Sequence, residues 1–424
     1  MLGQLLQRVC VLLRTSLGVL LARFSTIALF ALTARLFSQH DEGQFIYAIT
    51  LPQLLIQLGT LGWLNLIRRE VARRTEMPPS VVKGFVERSI QVPMIAVLLL
   101  SAGLVLYAVL VGQQRSLYLC IAAITVVYAV VVILREYLIA LGMPAFGIAA
   151  AEALPFLFAS ASIWLVRPGQ VEVAAFFFLL GLLASCAVQL PAVVRALKPY
   201  MQQSAAQFET PAWMRAGGMS LLGFGGRTML DRLDTLVLAT LGPVVQFAQY
   251  NSAQRVTVLL LVAPTVLLPV FSPHVSRACA LGDKALLRRE MLLQTLLVAS
   301  SVLPLAWLLV TFPGEVMGLL FGEQYVSSSP ILGLIVLSQV LFAFSLPWSN
   351  LMLMSNREGV YAGAHLAALA AALPMAIGLV GSWGSYVIAL VALVANVLLC
   401  SVFFGVGVYG LLRNESGTAR EIYT

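Results

Sequence analysis

Apolar residues run in stretches of about twenty along almost the whole chain, the length an α-helix needs to cross the ~30 Å hydrocarbon core of a bilayer. Such stretches recur near 15–37, 44–67, 84–110, 117–134, 146–166, 171–194, 217–241, 246–272, 290–311, 330–354, 359–380 and 386–411. In lipid every backbone amide and carbonyl must be bonded within the protein, so each stretch predicts a helix. The expected fold class is all-α, a polytopic membrane protein of about 12 transmembrane helices. Composition agrees: 60% of the residues are hydrophobic and 10% charged, with mean hydropathy +0.94.

Several function classes drop out. The net charge is +8, but the bases are not gathered into one soluble patch, so no nucleic-acid partner is implied. The five cysteines stand singly in apolar stretches with no metal-ligand spacing, so neither a metal nor another cofactor is expected. The three lysines precede Gly84, Pro199 and Ala285, so no lysine-bearing phosphate loop is present. Arg8 and Arg14 ahead of an apolar run resemble a signal peptide, yet the run continues to about Phe37 with no small-residue cleavage site. It is expected to be a retained first helix.

An even number of spans puts both chain ends on one side. With that side as the cytoplasm, nineteen lysines and arginines, Arg135 among them, fall in inner loops and tails, against Arg35, Arg115 and Arg167 outside. Basic residues favour the cytoplasmic side, so both termini are expected inside, with loops 38–43, 242–245, 312–329 and 381–385 outside. The longest polar connection divides the helices six and six: a six-helix lobe over 1–194, a cytoplasmic linker over 195–216, and a second lobe with a short tail over 217–424. Gln44-Phe45 recurs as Gln246-Phe247, and Glu87/Gln91 as Glu290/Gln294. These near-equal offsets suggest a duplicated six-helix unit, its copies related by an axis along the membrane normal.

Seven ionisable residues remain inside spans: Arg23, Glu152, Arg227, Asp231, Arg232, Asp234 and Arg255. At the helical rise, Arg23, Arg227 and Arg255 lie about 12, 15 and 13 Å from one end of their helices, near the midplane. A charge there costs at least ~2.5–3.5 kcal/mol, so the four on the 217–241 helix cannot face lipid. On a continuous helix Asp231 lies about 40° to one side of Arg227 and Asp234 about 20° to the other, with Arg232 about 140° away. Three arrangements are open. Arg227 could form a structural ion pair with Asp231 or Asp234. "RTMLDRLD" could lie in the cytoplasm with the helix starting at Thr235, which leaves a hairpin too short to span. Or a hydrated cavity between two halves could present Arg23, Arg227, Arg232 and Arg255 to an anionic ligand, with Asp231 and Asp234 holding arginines in place when it is empty. Arginine suits that role because its fork binds phosphate oxygens in pairs and stays charged.

Glu152, about 9 Å from the inner end of the fifth helix, is either a carrier for a coupling proton or an arginine's partner. His365, near the inner end of the eleventh helix, is expected at the interface. Gly359, Gly363, Ala367 and Ala371, spaced by four, are expected to be a helix-packing stripe.

These residues resemble a known family. "LARFSTIALFALTARLFSQHDEGQFIYAIT" at 21–50, "LDRLDTLVLATLGPVVQFAQYNSAQRV" at 230–256 and "FGEQYVSSSPILGLIVLSQVLFAF" at 321–344 are similar to the polysaccharide flippases, the Wzx type, of the multidrug/oligosaccharidyl-lipid/polysaccharide exporter superfamily. Asp231/Asp234, Tyr250 and Ala253–Arg255 match the family's acid-bearing seventh helix, its turn ending in tyrosine and its A-x-basic step. Phe45 and Phe247 stand where the family tends to have glycine. The resemblance implies a V-shaped bundle in the bacterial inner membrane. It implies movement of undecaprenyl-pyrophosphate-linked oligosaccharide, with no bond made or broken, to the periplasmic leaflet for lipopolysaccharide or other surface polysaccharide. Its partners would be that lipid, membrane lipid, a coupling ion (H+ or Na+) and polysaccharide polymerase machinery. The alternatives are a drug or organic-cation antiporter, a peptidoglycan-precursor flippase, which usually carries two further C-terminal helices, and a non-transporting scaffold for polysaccharide assembly.

Overall fold

The computed structural model describes residues 2–412 apart from 61, 76, 112–113, 203–204 and 356. Arg413 and Arg420, two of the nineteen basic residues expected inside, lie outside the described residues. Helices make up nearly all of the rest, with no strand among the described residues.

In chain order they are α1 (Leu2–Leu36), α2 (Gln39–Gly59), α3 (Trp63–Ala72), α4 (Pro79–Val111), α5 (Arg115–Ala140) and α6 (Pro144–Ile148). Then come α7 (Leu154–Val166), α8 (Val171–Gln202), α9 (Thr210–Leu230), α10 (Leu233–Leu241), α11 (Val244–Thr257) and α12 (Val262–Leu281). The chain closes with α13 (Lys284–Thr311), α14 (Pro313–Phe321), α15 (Ser329–Met354), α16 (Glu358–Trp383) and α17 (Ser385–Leu412). Among the described residues 10 helices are long and apolar enough to cross a membrane, and the bent α2–α3 pair raises this to 11. The α9–α10 pair holds the place of a twelfth, so the protein is a multi-pass membrane protein of about the expected size.

Three spans differ from the straight helices expected. The 44–67 stretch is two helices bent by 64°, with Gly62 at φ 77° where the second begins. That left-handed backbone is open to glycine at little cost. The 117–134 helix runs on to Ala140, so Arg135 lies inside α5 and not in a loop. The 217–241 helix is broken at Asp231–Arg232. Proline accounts for two further irregularities. A π-helical turn at Ala149–Ala153 precedes Pro155, and a 3-10 turn at Val258–Leu261 precedes Pro264. A proline has no N–H to continue the ladder, so the backbone before it rearranges.

The predicted linker is mostly helix. Only 205–209 is non-helical among its described residues, and it is laid along α4, with Gln207 N donating to Ser80 O at 3.0 Å. Trp213 of α9 packs edge-on to Phe85 of α4 at 5.3 Å. The small-residue stripe on α16 does not pack: Gly359, Gly363, Ala367 and Ala371 are exposed. The neighbouring face, Tyr361, Ala364, Ala368, Ala372 and Ala376, is the buried one, because both stripes have small residues and the larger contact with α17 decides. His365 is buried beside Phe403.

Helices α4, α5, α7 and α8 pack on one another, as do α13, α15, α16 and α17. Between these groups α2 packs on α11, and α1 on α11 and α14. The echoed dipeptides therefore open the two helices that meet, with Phe45 and Phe247 both buried. Gly43 permits the approach. A Cβ there would lie 2.5 Å from the Val244 carbonyl oxygen, against a floor of about 3.0 Å in real structures. Gly43→Ala is expected to part α2 from α11. In a cysteine-free background, a cysteine at Gln249 should then react faster with a water-soluble maleimide. An unchanged rate would mean the seam absorbs the methyl.

Candidate functional site: an arginine-lined central cavity

A cavity of about 530 Å³ lies around the middle of the bundle, and all seven intramembrane charges expected from the sequence line it. Arg23 comes from α1, Glu152 from the π-helical turn, Arg227 from α9, and Asp231 and Arg232 from the break after it. Asp234 comes from α10 and Arg255 from α11. Irregular backbone at membrane depth is tolerated where it lines a cavity and its polar groups find partners. The break at Asp231–Arg232 meets that condition.

The break also separates the two acids. Asp231 accepts from Arg227 Nε at 2.7 Å, one turn along α9. Asp234 does not share that face. It accepts from its neighbour's backbone, Thr235 N at 2.6 Å, from Tyr250 Oη at 3.0 Å and from the Gln254 amide. A continuous helix would have kept both acids beside Arg227; two residues out of helical register turn Asp234 onto α11. Of the two ion pairs open from the sequence, the structure forms Arg227–Asp231. Arg227 also stacks over Phe342, with 4.3 Å from guanidinium to ring centre.

The remaining arginines are not bonded to a carboxylate. Among the described residues Arg23, Arg232 and Arg255 form no salt bridge with a carboxylate. Arg23 and Arg232 lie within electrostatic reach of Arg255. Arg255 rests over the Phe30 ring at 4.4 Å, and its Nε has no hydrogen-bond acceptor. Asp234 acts on Arg232 and Arg255 through space without bonding either, and charges gathered in an apolar bundle without a bonded counter-ion cost several kcal/mol. They form a receptor for a multiply charged anion, whose oxygens would supply the missing acceptors.

Arg135 is a cavity residue that the sequence placed in a loop. It pairs with Glu152 and with Glu136, and Glu136 also receives Arg68 from α3. Glu152 is therefore an arginine's partner, one of its two expected roles. Arg135 and Glu136 could have been found as an adjacent opposite pair at the end of an apolar run, since pairing lets a helix continue past that end.

No protein-family profile and no curated protein sequence matches the chain. Solved structures do match in fold. The chain is similar to a point mutant of the Vibrio cholerae MATE transporter VcmN, with 18% identity over 95% of this chain and 96% of that one and a TM-score of 0.63. It is similar to the lipid II flippase MurJ in an inward closed conformation, with 12% identity over 92% and 87% and a TM-score of 0.72. A multidrug resistance MATE family transporter of the MOP superfamily, inward-facing, gives 14% identity over 92% and 94% and a TM-score of 0.70. The fold of this chain is the one shared by MATE transporters and MurJ.

Proposed function

We propose that this protein is a transporter of the MOP superfamily and, within it, a flippase of the Wzx type. It moves undecaprenyl-pyrophosphate-linked oligosaccharide from the cytoplasmic to the periplasmic leaflet of the bacterial inner membrane. The observation that carries this reading is the set of three arginines, Arg23, Arg232 and Arg255, that form no salt bridge among the described residues and converge on one cavity. A pyrophosphate satisfies that arrangement, whereas a cationic drug would be repelled by it. The head group enters the cavity while the polyprenyl tail stays in lipid, and two six-helix lobes, 1–194 and 217–424, rock about it.

The test is reconstitution in vesicles with two cargoes, a fluorescent short oligosaccharide on undecaprenyl pyrophosphate and a fluorescent organic cation. Flipping of the first without efflux of the second is expected. Cation efflux alone would make the protein a drug antiporter, and neither activity in a folded protein would make it a scaffold.

The distribution of basic residues supports a cytoplasmic location for both termini. Reporter fusions at Glu323 and Ser382 are expected to report the periplasm, and fusions at Gln203 and Asp283 the cytoplasm. A cytoplasmic signal at Glu323 would break this topology.

A further inference from the structure

The cavity does not use every buried charge. Glu42, in the first turn of α2, is wholly buried at the seam where α1 and α2 meet α11 and the 3-10 turn Glu323–Ser328. That seam is held at the same end by Gln39 and Gln324, whose amides donate to backbone carbonyls across it, Gln324 O and Ala34 O. Glu42 Oε1 lies 3.0 Å from Thr33 Oγ1, and Oε2 has no hydrogen-bond partner. Thr33 Oγ1 also lies 3.0 Å from Leu29 O and 3.3 Å from Phe30 O.

A hydroxyl carries one proton and can accept others. Thr33 faces three oxygens, and back-bonding to the carbonyl four residues earlier is the ordinary use of a helical threonine's proton. The proton between Thr33 and Glu42 then comes from the carboxyl. Charge leads to the same result. Asp41 on the same helix is bonded to Ser38, and His40 to Gln44. At this end of the neighbouring helices, Arg35 of α1 donates to the Leu319 carbonyl and Glu172 of α8 accepts from Ser116. Tyr107 of α4 and Tyr118 of α5 gather on one another and on Tyr47. Among the described residues Arg255 and Tyr325 act on Glu42 through space and neither is bonded to it, so the attraction of Arg255 is weaker than the cost of burial. A carboxylate with one bare oxygen and no paired cation is costly in such a place, whereas a neutral acid is not.

We propose that Glu42 is a proton-binding site: the closed seam holds it as a neutral carboxylic acid donating to Thr33, and opening the seam releases that proton to water on the far face. In water a glutamate titrates at about 4.3 and is ionised at neutral pH. The closed state therefore binds one proton more than the open state, so falling pH on that face favours closure. Only the link to a transport cycle rests on the flippase reading; the protonation state stands apart from it.

The experiment is infrared difference spectroscopy on the full chain in lipid vesicles at neutral pH, together with the Gln249 cysteine labelling described above. Wild-type protein should show the carbonyl stretch of a protonated carboxylic acid that Glu42→Gln lacks, and Thr33→Val should shift that band upward by removing its acceptor. Normalised at each pH to the denatured protein, because thiolate reactivity itself falls with pH, labelling should slow as pH falls in wild type and become independent of pH in Glu42→Gln. If Glu42→Gln does not fold, the band shift in Thr33→Val decides. A wild-type spectrum showing only carboxylate at Glu42, or a band that appears only when sodium is withdrawn, would overturn the proposal, the second by making the ligand a sodium ion. These spectra read Glu42 whether or not the protein flips a lipid-linked sugar.

Discussion

Replacing Arg255 with methionine is expected to make the protein more stable in detergent and, at the same time, to reduce export of surface polysaccharide sharply. Arg255 is half-buried over Phe30, has no salt bridge to a carboxylate among the described residues, and its buried Nε has no acceptor. Exchanging buried ionic groups for apolar ones of similar shape is often neutral or stabilising by about 1–4 kcal/mol. Methionine keeps most of the volume and its contact with the ring. On the transport side, each charge-assisted hydrogen bond to a phosphate oxygen is worth about 1.5–3 kcal/mol, so its loss weakens head-group binding roughly ten- to a hundredfold. Adding Arg232→Gln should remove transport altogether. Stability would be measured as apparent Tm and transport as surface polysaccharide at matched protein levels. A variant that is less stable yet transports normally would make Arg255 structural and leave the anion site without its main residue.

Stability and function pull apart here because the cavity holds more positive charge than it pairs, a strain that is useful only when a ligand relieves it. That strain was readable from the sequence. Charges at bilayer depth are too costly to face lipid, so a shared cavity was one of the three arrangements open for them, and all seven line one cavity. Other features were hidden for particular reasons. Arg135 lay beyond an apolar run, where a window of hydropathy ends but a helix held by Glu136 and Glu152 continues. Glu42 fell in the expected outer loop 38–43 as a polar residue among polar residues, and only contacts with distant segments show it to be buried. The break at Asp231–Arg232 has no proline or glycine to announce it. It follows from Asp234 finding better partners on α11 than beside Arg227, a tertiary preference that helical periodicity cannot express.

That break decides what Asp231 and Asp234 do, and a double-mutant cycle separates them. Arg227 and Asp231 are bonded at 2.7 Å, but the Asp231 side chain is 48% exposed to the cavity, so screening limits the pair to about 0.5–1 kcal/mol. Arg227→Gln and Asp231→Asn should each lower stability slightly, and the double variant should recover most of that loss. Arg227→Gln with Asp234→Asn should be additive, because Asp234 accepts from Thr235, Tyr250 and Gln254 and not from Arg227. Asp234→Asn alone should cost about 1–3 kcal/mol, since its new amide group meets donors where the carboxylate met partners. Transport supplies the second axis. The Arg227→Gln, Asp231→Asn variant should stay inactive despite its recovered stability if Arg227 is a ligand donor that Asp231 holds in place. Restored polysaccharide export in that variant would make the pair a clamp between the broken helix and its neighbours and confine the anion site to Arg23, Arg232 and Arg255. Coupling between Arg227 and Asp234 as large as that with Asp231 would mean that the α9–α10 break closes into one helix in the membrane.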